Sequence, residues 1–242
     1  LVPKSSIIDL SARMNADGVI DWIVPDGEWV ILRIGYTCTD ARVKTCSDSW
    51  GGYVIDYLSR EPLDFYWSQV MEPIIKAAGR HVGKTFAFVA TDSWECGGMN
   101  WTPSMPEMFR KRTGYDIKPY LPLVAGNVVD GVEESHAFMA DFRRVIGSAV
   151  AHNHYERFQQ LAHRAGLMTQ PESAGPHMGP FDGLANYRYN DIVMSEFWAS
   201  SPHRTTPQSR FFVKQASSAA HIYGQEIIGA ESFTTIGPNW ND

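Results

Sequence analysis

Four glutamates share one context. Each closes a short apolar run: Phe88-Val89-Ala90-Thr91-Asp92-Ser93-Trp94-Glu95, Met168-Thr169-Gln170-Pro171-Glu172, Ile192-Val193-Met194-Ser195-Glu196 and Ile227-Ile228-Gly229-Ala230-Glu231. Runs of this kind read as buried strands. In a parallel α/β fold the strand C-terminal ends open on one face, where active sites lie. Glu95, Glu172, Glu196 and Glu231, with Asp92, are then expected to converge on one pocket. So many carboxylates cannot all stay ionised at close range unless protonation, a cation or basic neighbours relieve them. The arrangement suits cleavage of a glycosidic bond. One carboxyl stays protonated and delivers a proton to the leaving oxygen, while a second stays ionised to activate water or attack carbon. The surplus suits a hard cation with oxygen ligands, and calcium is the expected one, with Glu172 or Glu196 among its ligands. Taken singly, each glutamate fits a solvated loop carboxylate; the signal lies in the repeated context.

The chain has eight tryptophans. Trp94, Trp101 and Trp198 lie next to these glutamates and are candidate platforms for the apolar face of a sugar, although tryptophan also simply fills cores. His177, in a Gly/Pro-rich loop, is placed to reach a substrate hydroxyl, and Arg33 is the candidate basic group on the substrate side. Other chemistry has little support. There is no GxSxG, HExxH, P-loop or GxGxxG pattern. His152 and His154 are two apart in a helical pattern, so one packed and one exposed histidine is expected rather than a metal pair. Cys96 has no basic partner in view and reads as a packed thiol. Cys38 and Cys46 could bridge a loop, but three cysteines make no disulfide scaffold.

The elements that must position these residues begin with β structure. Ile7-Ile8-Asp9-Leu10 and Val19 to Val24 read as strands about a turn at Asn15-Ala16-Asp17-Gly18. After Pro25-Asp26-Gly27, the apolar run Trp29 to Thr37 reads as a strand covered on both faces. Helix and buried strand then alternate. Helical spacing covers 61–78, with a kink expected at Pro73, and 133–165 and 208–223, ending at Gly166 and Gly224. Ser104 and Glu107 make a capping-box pattern for a helix that stops at Gly114. Short strands fall at 85–90, 167–170, 191–197 and 225–230, and 173–187 reads as a loop. The expected fold is a (β/α)8 TIM-type barrel, because strands alternating with helices mean a parallel sheet. About five barrel-type strands are in view against the eight of a closed barrel, so only the later strands are expected here. On this division residues 1–37 are a short β hairpin and the strand leading in, and 38–242 are a partial (β/α) barrel catalytic region.

The composition excludes some partners. A net charge of −6 over 242 residues gives no basic face for nucleic acid. No apolar run approaches the ~20 residues of a membrane span, and the mean hydropathy is −0.25. The chain starts at Leu1 rather than Met, as expected of a processed chain or a piece of a longer one.

Several segments resemble glycoside hydrolase family 106, the α-L-rhamnosidases. They are Trp29-Val30-Ile31-Leu32-Arg33-Ile34-Gly35-Tyr36-Thr37, Asp92-Ser93-Trp94-Glu95 with Asn100-Trp101-Thr102, and Gly114-Tyr115-Asp116 with Pro119-Tyr120-Leu121-Pro122. Asp141-Phe142-Arg143-Arg144, Glu196-Phe197-Trp198, and Ala216 to Gly224 running into Ala230-Glu231-Ser232-Phe233-Thr234 complete an ordered set. The segment after Tyr36 departs from the pattern, with Thr37-Cys38-Thr39-Asp40 in place of a Thr-Gly turn. The resemblance implies an inverting α-L-rhamnosidase with calcium in the site, built on a (β/α)8 catalytic domain within a longer protein. It implies a rhamnose-containing glycoside, oligosaccharide or polysaccharide as substrate and a secreted or periplasmic location. The family's catalytic glutamates match Glu95, Glu196 and Glu231. Glu95 takes the acid role, Glu231 the base role, and Glu196 is a third pocket carboxylate. A glycosidase for another sugar and a non-catalytic carbohydrate-binding relic are the competing expectations.

Overall fold

The computed structural model describes residues 1–43, 49, 51–173, 179–199 and 208–234. Helices α1 (Arg60–Tyr66) and α2 (Glu72–Ala78) precede strand β1 (Phe88–Val89). Helices α3 (Met105–Thr113), α4 (Val132–Ala149) and α5 (Glu156–Arg164) lead to β2 (Met168–Thr169). Then follow α6 (Gly183–Tyr187), β3 (Val193–Trp198), α7 (Gln208–Tyr223) and β4 (Ile228–Thr234). The residues divide into two compact units, one of 1–37 and 103–145, the other of 38–102 and 146–242. The first 37 residues therefore group with a stretch from the middle of the chain.

In the first unit the expected hairpin shrinks to one antiparallel bridge, Met14 with Ile20. Its turn forms as the sequence predicts, with the Asn15 side-chain oxygen accepting from the N–H groups of Asp17 at 3.0 Å and Val19 at 2.9 Å. The strand expected over Trp29–Thr37 does not form, and Val30, Ile31 and Leu32 are exposed. A strand needs a neighbour for its N–H and C=O groups, and among the described residues no strand or bridge pairs with this run. Helix α3 stops at Gly114, whose φ of +84° is the left-handed conformation that glycine adopts without cost. Its expected capping box is absent. Ser104 has ψ near 1°, not the extended geometry that turns a cap hydroxyl toward the first-turn N–H groups, and it makes no side-chain cap bond. Aromatic packing holds this unit: Tyr120 stacks on Phe138 with centroids 4.7 Å apart, and Phe109 meets Tyr115 edge-on at 5.0 Å.

In the second unit β1 pairs with β2 and β3 with β4, both in parallel. The two small sheets are unclosed, so the architecture is mixed α/β with parallel strand pairs. Apolar side chains of α1 and α5 close on the first pair through Leu63, Val89, Phe158, Ala162 and Leu167, joined by Trp67. Ala216, Ala219 and Ala220 of α7 pack with Val193 and Tyr187, small residues that let the helix approach β3 closely. Two helical stretches widen into π turns, Trp67–Met71 and Val150–Tyr155. The first stands just ahead of Pro73, where a kink was expected. A widened turn accommodates a ring that lacks an N–H and crowds the preceding turn. The loop expected over 173–187 ends in helix α6. Asp182 caps it, accepting from the N–H groups of Leu184 at 3.0 Å and Ala185 at 3.3 Å. Among the described residues no helix is long and apolar enough to cross a membrane.

Candidate active site

The backbone sets the carboxylates. Past β1 and β2 the ladder continues, as the N–H groups of Met168, Gln170 and Glu172 donate to the carbonyls of Ala87, Val89 and Thr91 at 2.9, 3.0 and 3.0 Å. The parallel pairing therefore delivers Glu172 beside the end of the Thr91-Asp92 segment. In the other sheet the register places Glu196 directly beside Glu231. Residues at one level on neighbouring strands face the same side.

Carboxylate oxygens of Asp92, Glu172 and Glu231 lie within 4.8 Å of one another. Glu172 is 2% exposed, and neither of its oxygens has a hydrogen-bond partner. Burial pushes its carboxyl up to about 8, and the charges of Glu196, Asp92, Glu231 and Glu95 push the same way. All five carboxylates thus act on one electrostatic neighbourhood. Glu196 and Glu231, expected to close their strands, lie within β3 and β4, while Asp92, Glu95 and Glu172 follow β1 and β2. An orphaned, buried carboxylate flanked by two more is an oxygen-only donor set, which fits a hard divalent cation better than zinc. Glu172 belongs to this set as expected. Glu196, the other expected ligand, does not; Asp92 and Glu231 complete the set instead. The Glu196 carboxylate is occupied differently, accepting from the indole N–H of Trp198 at 2.5 Å.

The other candidates divide. Glu95 is half-buried and stands outside the tight cluster. Trp94, expected as a sugar platform, is 1% exposed. Its indole N–H donates to the Gly97 carbonyl at 3.1 Å, and the rings of Tyr57 and Phe181 meet it edge-on at 5.2 Å each. It fills the core, the other role open to tryptophan, and presents no face to a sugar. Trp101 and Trp198 are half-buried. Arg33 lies in the first unit, its guanidinium against the Gly18 turn. His177 and Cys46 lie outside the described residues, so nothing is placed for the loop histidine or for a Cys38–Cys46 bridge.

Cys96 is buried, and burial pushes its thiol up, as for a packed cysteine. His154 is the packed member of its pair at 2% exposed, stacked on Tyr57 with centroids 3.7 Å apart. Neither ring nitrogen has a partner, and burial lowers its pKa to about 3. Two further groups near the cluster carried no sequence signal. The Tyr155 hydroxyl is buried without a partner and feels the charge of Glu172. The Thr234 hydroxyl donates to Glu231. In a regular strand, residues three apart point to opposite faces, so spacing alone gives no reason to link Thr234 with Glu231.

Comparison with known proteins agrees with this chemistry. A protein of Formosa agariphila named "Putative beta-glucuronidase" is 39% identical over 243 residues, covering all of this chain and 20% of its own length. The solved structure of a rhamnosidase from Novosphingobium sp. PP1Y superposes with a TM-score of 0.79 at 30% identity, covering 96% of this chain and 23% of that one. The chain thus spans about a fifth of the length of the curated relative. The family profile described as alpha-L-rhamnosidase matches residues 1–242, and the chain belongs to glycoside hydrolase family 106.

Proposed function

We propose that the carboxylate cluster is the catalytic centre of an α-L-rhamnosidase that releases terminal α-L-rhamnosyl residues with inversion. The observation that carries this reading is the cluster of Asp92, Glu172 and Glu231, with Glu172 buried and orphaned and feeling the charges of Glu95 and Glu196, in a family 106 chain. Glu95, outside the tight cluster, is the general acid that protonates the leaving oxygen. Glu231 is the base that takes the proton of the attacking water, and Glu196, held by Trp198, is the third pocket carboxylate. Inversion requires the acid and base carboxyls to stand ~6.5–9.5 Å apart, leaving room for that water. Asp92 and Glu172 would hold the calcium, while Glu231 beside them is kept free for proton transfer. When bound, such an ion neutralises the cluster and grips vicinal sugar hydroxyls. Trp101, Trp198 and His177 are the substrate-binding candidates. On this reading the parallel pairs are later strands of a (β/α)8 barrel, residues 38–242 are its catalytic region, and the protein works outside the cytoplasm, secreted or periplasmic.

The name of the Formosa agariphila relative favours one second reading, hydrolysis of a glucuronide. Physical chemistry weighs against it. A uronic acid would add its own charge to five carboxylates, whereas a 6-deoxy sugar such as rhamnose adds none. The test is turnover of an aryl α-L-rhamnoside beside an aryl β-D-glucuronide by the natural full-length polypeptide with calcium supplied. The expected kcat/KM ratio favours the rhamnoside by ~100-fold or more, the scale at which a site rejects a mismatched group. A preference for the glucuronide overturns the rhamnosidase reading.

A further inference from the structure

The parallel register of β3 and β4 is regular from Val193↔Ile228 to Phe197↔Ser232 and then slips, because Trp198 pairs with Thr234. Phe233 is the extra residue. Its φ is +59°, a conformation that a bulky L residue rarely adopts. Its ring lies edge-on to Phe197 at 4.8 Å and is 64% exposed, so burial of the side chain does not account for the backbone. The consequence falls on the next residue. Strict alternation would turn Thr234 to the face opposite Glu231. The extra residue restores it to the same face, and its hydroxyl donates to the Glu231 carboxylate. The ladder resumes at once, with Ala199 N–H donating to the Thr234 carbonyl at 2.9 Å, which fixes the threonine backbone. On the neighbouring strand Trp198 donates to Glu196 without any bulge, because residues two apart already share a face.

We infer that the one-residue bulge at Phe233 serves to bring Thr234 onto Glu231, and that Thr234 is the positioning residue for that carboxylate. Bulges beside active sites re-aim side chains in this way. The hydroxyl donor fixes one oxygen of Glu231 and leaves the second oxygen to act in the site. The kinetic consequence rests on the proposed role of Glu231; the geometric one does not.

The test compares Thr234→Val, which keeps the shape and removes the donor, with Thr234→Ser, which keeps the donor, and Phe233→Gly, which keeps the left-handed backbone and removes the ring. All are made in the natural full-length polypeptide. On an aryl α-L-rhamnoside, Thr234→Val is expected to lose about 10- to 100-fold in kcat, the effect of one hydrogen bond to a charged group. KM stays within about threefold, and Thr234→Ser and Phe233→Gly stay within about threefold of the parent in kcat. Crystal structures of the parent and Thr234→Val are expected to show the Glu231 carboxylate leaving its place beside Asp92 and Glu172. The inference is overturned if Thr234→Val keeps parental kcat or if Thr234→Ser is as slow as Thr234→Val. It is also overturned if Phe233→Gly loses as much, or if Glu231 holds its position in the Thr234→Val crystal. Should the parent hydrolyse no rhamnoside, the functional reading fails and the crystal comparison alone decides this one.

Discussion

Glu95→Gln is expected to lower kcat by ~10³-fold on aryl α-L-rhamnosides with poor leaving groups, and far less on a dinitrophenyl rhamnoside. A general acid contributes on the order of 10²- to 10⁴-fold by protonating the leaving oxygen as the bond breaks. A dinitrophenolate departs without that proton, so the deficit shrinks as the leaving group improves. Glu231→Gln behaves differently. Attack by water needs a base whatever departs, so its loss of about 10³-fold or more is expected to be uniform across the leaving-group series. A steady-state series of four or five aryl rhamnosides checks both variants together. If Glu95→Gln is uniformly slow and Glu231→Gln is rescued by good leaving groups, the acid and base are exchanged. If neither variant slows turnover, the catalytic pair lies elsewhere.

The second large effect is on stability. Glu172 titrates near 8 in the fold against 4.5 for an unperturbed glutamate, and His154 near 3 against 6.5. Between pH 4.5 and 6.5 the folded chain holds the Glu172 proton and the unfolded chain holds the His154 proton. The two contributions to the pH slope then cancel. Above 6.5 only the folded state still holds a proton, on Glu172, so cation-free stability falls until about pH 8. Below 4.5 the unfolded state binds both protons and the folded state one, so stability falls again toward pH 3. Each limb spans about 1.5 pH units with a net difference of one proton, so it amounts to about 2 kcal/mol. Thermal melts of cation-free protein from pH 3 to 9 are expected to show this dome. Glu172→Gln flattens the alkaline limb and raises the melting temperature at pH 8, while His154→Phe flattens the acid limb. A divalent cation at about 100 times its Kd adds about 2.7 kcal/mol to the parent and much less to Glu172→Gln. An alkaline limb that Glu172→Gln leaves untouched would mean that another group sets it.

The carboxylates were legible because two regularities suffice: an apolar run marks a strand, and parallel pairing carries residues at the same level to one side. The strands Phe88–Val89, Met168–Thr169 and Val193–Trp198 fall on the apolar runs that predict them, whereas the last, expected over 225–230, forms over Ile228–Thr234 and takes in Glu231. The run Trp29–Thr37 reads the same way and forms no strand, because pairing depends on a neighbour that composition does not reveal. Tryptophan identity could not separate Trp94, packed against Tyr57 and Phe181, from a sugar platform, since both roles use the same ring. The π turn over Val150–Tyr155 carries no proline or glycine to announce it, yet it contains His154 and Tyr155, both buried without partners. The bulge at Phe233 is equally silent. Alternation is a rule about regular strands, and the Thr234–Glu231 contact exists only because β4 breaks it.

The measurement that bears most directly on the central claim, that Glu95 and Glu231 act as a separated acid and base, is a proton NMR time course. The natural full-length polypeptide, supplied with calcium, is mixed with an aryl α-L-rhamnoside, and the anomeric region is followed from the first seconds. The account predicts that β-L-rhamnose appears first and that the α anomer grows in later by mutarotation. First appearance of the α anomer would contradict it, because retention requires a nucleophilic carboxylate ~5–5.5 Å from the acid and no water between them.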